Sequence, residues 1–113
     1  MTYEPKTPGP MPEPGFYFHY KHDPNGEFNN YAYEVLGTGH HTEDDARPVD
    51  AFMVVYRPLY EAFVYKLGKL FDIRPLSMFM EDVEKDGKRF PRFTKVTDPE
   101  VVQKLAELRD RMY

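Results

Sequence analysis

The stretch "GFYFHYK", residues 15–21, is the strongest indication of fold in this chain of 113 residues. Its side chains fall into two alternating sets along the chain, Phe16, Phe18 and Tyr20 in one and Tyr17, His19 and Lys21 in the other. Alternation with a period of two is typical of a strand, because successive side chains point to opposite faces of a sheet. We therefore expect a strand with one buried aromatic face and one mixed face.

Further strand and turn patterns follow this segment. The dipeptides of "DPNG" (23–26) favour a turn, and "YAYEVLG" (31–37) then resumes the alternation. The stretch "AFMVVYRPLY" (51–60) is rich in β-branched and aromatic residues, which favour a third strand. Later in the chain, Asp86 and Gly87 favour a hairpin, because a type I′ turn needs positive φ at both central residues. Together these signals predict antiparallel strands.

The segment 61–73 is open to two interpretations. Leu59, Phe63 and Leu67 recur at a spacing of four residues, and Gly68 is suitably placed to end a short helix. Two short strands that turn at Leu67 and Gly68 fit equally well. We favour the strands because Val, Tyr, Phe and Ile predominate here.

The sequence predicts disorder at the N-terminal end of the chain and a helix at the C-terminal end. Residues 1–14 contain five of the eleven prolines, which exclude helix and central strand and predict a flexible, disordered leader. In "DPEVVQKLAELRDRMY" (98–113), Asp98 is placed as an N-cap and Pro99 at the first helical position, ahead of an apolar stripe. We expect an amphipathic helix over 98–113 that packs on a single domain at 15–97.

Five to seven short antiparallel strands with one C-terminal helix predict a mainly β fold. We interpret it as a small SH3-like barrel or roll, because closure of the sheet would protect the strand edges.

Composition limits the classes of function and location. The net charge of −4 disfavours indiscriminate binding to nucleic acid or anionic membrane. Residues 1–50 carry nine acidic and three basic residues and residues 51–113 carry ten and twelve, so a polyanion site would lie in the second half. The chain has no cysteine, no apolar run of about 18 residues and no signal-peptide pattern. We expect a cytoplasmic protein without a membrane partner.

Several motifs in order resemble a small bacterial family of uncharacterised proteins, domain of unknown function sixteen-fifty-three. They are "GFYFHYK", "YEVLGTGHHTE", "VVYRPLY", "RPLSMF" and "VEKDGKRFPRF", and the resemblance covers roughly residues 15–95. It implies a mainly β, SH3-like roll and no established reaction, ligand or catalytic residue. The chain departs from the family pattern at Asp72, where an aromatic residue is common before "RPL".

Tyrosines and arginines at the strand ends form the first candidate site: Tyr17, Tyr56, Tyr60, Arg57 and Arg74. Small barrels use aromatic rings to hold peptides or bases, and a guanidinium binds carboxylate or phosphate in bidentate fashion. The alternative is core packing with internal ion pairs. We favour a non-enzymatic binding or protein-interaction module whose ligand is a protein or a small molecule. No motif indicates a cofactor.

The hairpin at 85–95 is the second candidate, because basic residues alternate there with Phe90 and Phe93. The cations placed to contact a nucleic acid are Lys88, Arg89, Arg92 and Lys95. Basic side chains neutralise phosphates and rings stack on bases, so this hairpin suits single-stranded nucleic acid. The alternative is an edge whose charges prevent strand-to-strand aggregation.

The stretch "TGHHTEDD" (38–45) suggests a third possibility, a small metal-dependent enzyme around His40 and His41. Adjacent histidines on a strand point to opposite faces, which hinders a shared metal. The remaining metal-ligand combination is His41, Glu43 and Asp45. A solvated polar loop is the alternative interpretation.

Overall fold

The computed structural model describes residues 9–43, 45 and 47–113. It contains seven strands: β1 Gly15–His19, β2 Ala32–His40, β3 Phe52–Pro58, β4 Asp72–Pro75, β5 Asp82–Lys85, β6 Lys88–Pro91 and β7 Phe93–Lys95. The helices are α1 Phe63–Lys66, α2 Leu76–Phe79 and α3 Pro99–Met112, with a 3-10 turn at Pro48–Asp50. The mainly β fold with a C-terminal helix is thereby confirmed.

The strands form two sheets in which every pairing is antiparallel. Five strands follow the order β4-β3-β2-β1-β7, and β5 pairs with β6 in a separate hairpin. The expectation of a closed barrel is wrong, since β4 and β7 are edges and do not pair with each other. Both edge strands are short, at four and three residues, which limits the unpaired backbone that each exposes.

Strand β1 is buried on both faces, contrary to the expectation of a single buried face. Phe16 points to a cluster covered by α3, whereas Tyr17 points to a cluster covered by α2. The first cluster comprises Phe16, Ala32, Leu59, Val96 and Leu105. The second comprises Tyr17, Val35, Val54, Tyr56, Leu76, Phe79 and Phe93. The side chains of β1 do alternate between two faces, but α2 covers the face that was expected to be mixed.

The predicted hairpin between β5 and β6 is confirmed. Asp86 and Gly87 have φ values of 53° and 75°, so both central residues adopt the left-handed conformation that the turn requires. The turn places Lys85 opposite Lys88.

The segment 61–73 begins as a helix, so the two-strand interpretation is wrong for its first half. Leu67 caps α1, and the positive φ of Gly68 (127°) and Lys69 (57°) reverses the chain. The Lys69 N–H donates to the Tyr65 carbonyl at 2.8 Å, which satisfies an orphan carbonyl of the last helical turn.

The start of α3 has the predicted cap, because the Asp98 carboxylate accepts a hydrogen bond from the Glu100 N–H at 3.0 Å. Leu105 and Met112 are buried against the sheet. At the end of the helix, the Tyr113 hydroxyl donates to the Pro58 carbonyl at 2.6 Å. The helix is therefore held to the sheet at its end as well as along its apolar face.

The last residues of the proline-rich segment contact the sheet. Residues 1–8 lie outside the described part of the chain, but Pro12 is buried. The Glu13 carbonyl accepts a hydrogen bond from the Tyr17 hydroxyl at 2.8 Å, and its carboxylate pairs with Lys95 at 2.6 Å. These contacts fix residues 12 and 13 beside β1 and β7.

A buried carboxylate joins three elements. Glu34 on β2 is only 7% exposed and is the one charged residue in the core of the described structure. Its two oxygens accept from Arg57 on β3 at 2.8 Å and from Arg109 on α3 at 2.7 Å. A buried charge is tolerated only when it is paired and hydrogen-bonded, and the two guanidinium groups meet that need.

We predict that Arg57→Met destabilises the protein by about 3 kcal/mol, because it leaves a buried carboxylate with a single partner. Arg47→Met is the matched control, since Arg47 pairs with Asp50 at an exposed site, and its effect should stay within about 0.5 kcal/mol. Urea unfolding followed by circular dichroism measures both. Equal losses in the two variants would contradict a structural role for the Glu34 network.

Candidate functional site

The structure does not assemble the predicted tyrosine and arginine site as one surface. Tyr17 and Tyr56 are 6% and 5% exposed and form part of the core, so neither ring presents a face to a ligand. Arg57 lies on the opposite face of the sheet from Tyr56, its neighbour in the strand, where it contacts Glu34 and the Tyr113 ring. The predicted site residues therefore do not all lie on the face of the sheet that carries Tyr56.

Arg74 is the arginine that stays on the Tyr56 face. Its Nε donates to the Tyr56 hydroxyl at 3.2 Å, and its Cζ lies 5.6 Å from the centroid of the Phe93 ring. These two contacts hold the guanidinium against the aromatic core. Arg74 is only half-buried, so the rest of the group can still contact solvent.

Three tyrosines with one carboxylate form a cluster that we call the tyrosine patch: Tyr31, Tyr33, Tyr60 and Asp72. The ring centroid of Tyr60 lies 6.0 Å from that of Tyr31 and 5.6 Å from that of Tyr33. The Tyr33 and Tyr60 hydroxyls are hydrogen-bonded to each other. Tyr31 is 38% exposed and the other three are half-buried, so the patch combines rigid packing with an accessible surface.

Burial controls the charge states of the patch. It raises the pKa of Tyr60, and with the Tyr60 hydrogen bond it raises that of Tyr33 as well, so both hydroxyls stay protonated at neutral pH. Burial also raises the pKa of Asp72, an effect that the positive charge of Arg74 opposes. Within the described residues, the Asp72 carboxylate has neither a hydrogen bond nor an ion pair with another side chain.

His19 borders this region as a neutral imidazole. Burial, followed by the positive charges of Arg74, Lys21 and Arg92, lowers its pKa from 6.5 to about 4. Its Nδ1 accepts from the Lys21 N–H at 3.2 Å, which leaves the proton on Nε2.

The register around His19 differs from a simple turn centred on Gly26. That turn predicts His19 opposite Tyr33, whereas Tyr17 occupies this position and the His19 N–H donates to the Tyr31 carbonyl at 3.0 Å. The connection between β1 and β2 forms successive turns, which shift the pairing by two residues.

The basic hairpin is largely neutralised by neighbouring carboxylates. The paired cations are Arg89 with Asp82 at 3.8 Å, Arg92 with Glu81 at 3.3 Å and Lys95 with Glu13 at 2.6 Å. Lys88 is exposed, but Phe93 is buried in the core and Phe90 is half-buried. The geometry therefore favours the alternative interpretation, in which the charges protect an edge, over a stacking surface for bases.

The histidine-rich segment forms a solvated end of β2. His40 is exposed and stacks obliquely on Phe52, while the Nδ1 of His41 accepts from the Glu43 N–H at 3.2 Å. Asp45 is exposed, and Asp44 lies outside the described residues. No group of three or more potential metal ligands occurs in the described part of the chain. The proposed His41, Glu43 and Asp45 combination thus has no geometric support.

Sequence reasoning missed an exposed apolar surface, which we call the apolar ridge: Phe63, Leu67, Leu70, Phe71 and Ile73. All five side chains are at least half exposed, with Phe63 at 72% and Ile73 at 63%. The Leu70 N–H donates to the Val64 carbonyl at 3.0 Å, which folds the segment back on α1 beside edge strand β4. The sequence feature that could have indicated this surface is the run of apolar residues in segment 61–73, whose pattern matches neither a strand nor a helix fully.

Comparison with family models assigns the chain to a known family. The model of the family described as "Protein of unknown function (DUF1653)" matches residues 15–95, which is well over half of the sequence. The chain belongs to the DUF1653 family. This confirms the resemblance seen in the sequence motifs, and the match includes both the tyrosine patch and the apolar ridge. No curated protein and no solved structure gives a significant match.

Among the described residues of this DUF1653 protein, no helix combines the length and apolar character needed to cross a membrane.

We predict that His19 makes stability depend on pH. Because its folded pKa of about 4 lies below the ordinary value of 6.5, the unfolded chain binds the proton first as the pH falls. Stability should therefore decrease between about pH 6.5 and pH 4, and His19→Gln should remove that part of the decrease. Urea midpoints at pH 7 and pH 5 measure the difference, and NMR titration of the imidazole measures the pKa. Protonation of His19 near pH 6.5 would contradict its burial.

Proposed function

We propose that this DUF1653 protein is an interaction module that binds an extended segment of a partner protein along the apolar ridge and strand β4. The observation that carries this proposal is the concentration of exposed apolar side chains at 63–73, beside a sheet edge. A concentration of exposed large apolar side chains is typical of interaction sites on soluble proteins.

Burial of the ridge supplies the free energy of binding. Removing a Leu, Ile or Phe side chain fully from water is worth about 1.5–3 kcal/mol, and the ridge offers five such side chains. Phe63 and Phe71 supply aromatic surface, which is enriched at the centres of interfaces. The guanidinium of Arg57 lies 5.9 Å from the Phe71 ring centroid and supplies a cationic border.

The backbone of β4 determines the orientation of the bound segment. One side of β4 pairs with β3, and the other side faces away from the sheet. An extended partner segment would add to that side through main-chain hydrogen bonds and place alternate side chains against the ridge. Pro75 lacks a donor and limits the added strand to a short segment.

The ridge takes the place of the tyrosine and arginine surface predicted from the sequence, since Tyr17 and Tyr56 serve the core. The proposal includes an SH3-like roll of the five-stranded sheet and a cytoplasmic location, which suits a chain without cysteine. Binding alone, without catalysis, accounts for these features.

We expect Leu67→Glu and Ile73→Lys each to abolish partner binding, because a charge placed on the ridge would be buried unpaired in the complex. Met11→Glu is the matched control, since Met11 is 52% exposed but lies outside the ridge. Tagged wild-type and variant proteins would be compared for the partners they retain from extracts of the native host. Hydrogen exchange of the purified complex should show new protection of the β4 amides.

Two results would contradict the proposal. One is a partner retained equally by the wild type and by both ridge variants. The other is sedimentation that shows a dimer of this chain broken by Ile73→Lys, which would make the ridge a contact between identical copies.

A further inference from the structure

Among residues 9–43, 45 and 47–113, no side chain forms a hydrogen bond or an ion pair with the Asp72 carboxylate, although tyrosines lie close to it. Asp72 is half-buried on edge strand β4, and it pairs across the strands with Tyr56, so the two side chains share a face. The half-buried carboxylate is still partly exposed to solvent, so it is accessible to a ligand that carries positive charge.

Neither nearby arginine supplies that charge. Arg74 is directed to the Tyr56 hydroxyl and the Phe93 ring, and its positive charge lowers the pKa of Asp72 by less than burial raises it. Arg57 lies on the opposite face of the sheet and pairs with Glu34 at 2.8 Å. The negative charge of Asp72 therefore stays available on the tyrosine patch.

The tyrosine rings provide the second element of cation recognition. The Tyr60 ring contacts both other rings, and its plane is inclined by 80° to that of Tyr33 and by 50° to that of Tyr31. A cation within about 6 Å of a ring centroid is attracted by the negative face of the ring. The hydrogen bond between the Tyr33 and Tyr60 hydroxyls holds two of the rings in place.

We propose that the tyrosine patch binds an alkylammonium group, such as a quaternary ammonium or a methylated amine. The methyl groups contact the faces of Tyr31, Tyr33 and Tyr60, and the positive charge is balanced by Asp72. This site is independent of the apolar ridge. Ile73, which follows Asp72 in the strand, points to the other face, so the side chains that contact the alkylammonium group differ from those of the ridge.

Charge and shape can be separated with two matched probes. Choline carries a trimethylammonium group, and 3,3-dimethyl-1-butanol has the same shape with a neutral carbon in place of nitrogen. Titration of the isotope-labelled protein of 113 residues, followed by amide chemical shifts, should show choline binding in the millimolar range with shifts at Tyr31, Tyr60 and Asp72. The neutral alcohol should bind about tenfold more weakly or not at all.

Variants test the residues. Asp72→Asn keeps the shape and removes the charge, and it should weaken choline binding about tenfold, while Tyr31→Leu should weaken it several-fold by removing a ring. Glu61→Gln is the control, because Glu61 is an exposed carboxylate directly after Tyr60 and should change the affinity less than twofold. Amide spectra of each variant establish that it is folded.

Three outcomes would overturn the proposal. They are equal affinity for choline and the neutral alcohol, unchanged choline affinity in a folded Asp72→Asn variant, and shifts confined to residues outside the patch. Loss of partner binding in the ridge variants has no bearing on this site, since Leu67→Glu should bind choline as the wild type does.

Discussion

The buried carboxylate of Glu34 is the constraint on which the rest of the structure depends. A charge at this depth needs donors on two sides, and the structure supplies them from a neighbouring strand through Arg57 and from the terminal helix through Arg109. Hydrophobic contacts alone would allow α3 to slide or rotate on the sheet. The paired oxygens of one carboxylate specify a single docking position, which in turn buries the Phe16 face of β1.

Strand β4 separates two surfaces of different chemistry because alternate side chains of a strand point to opposite faces. Asp72 and Arg74 share the face of Tyr56, where aromatic packing and partial burial control the charge states. Ile73 points the other way and joins the apolar surface that begins in α1. Both surfaces lie at the edge of the sheet, since β4 has a paired strand on one side only in the described part of the chain.

Signals that act within a few residues predicted structure well, and those that depend on distant partners did not. Asp86 with Gly87 and the Asp98 cap impose local backbone geometry, and both formed as the sequence indicated. The alternation in β1 predicted a strand but not that both faces would be covered, because the covering elements lie more than 50 residues away. The predicted site named Tyr60 and Arg74 but also core residues, since a sequence does not distinguish a tyrosine packed inside from one at a surface. Asp72 was noticed only as a departure from the family pattern, and its place beside Tyr60 depends on the fold.

The shortness of β4 has a consequence for solubility. An exposed sheet edge beside several bare apolar side chains is the usual starting point for amyloid-like stacking, which recruits segments of six or seven residues into continuous ladders. Here the edge strand has four residues and ends at a proline, so it offers only about 13 Å of template. The molecule can therefore expose the apolar ridge while remaining a poor seed for fibres.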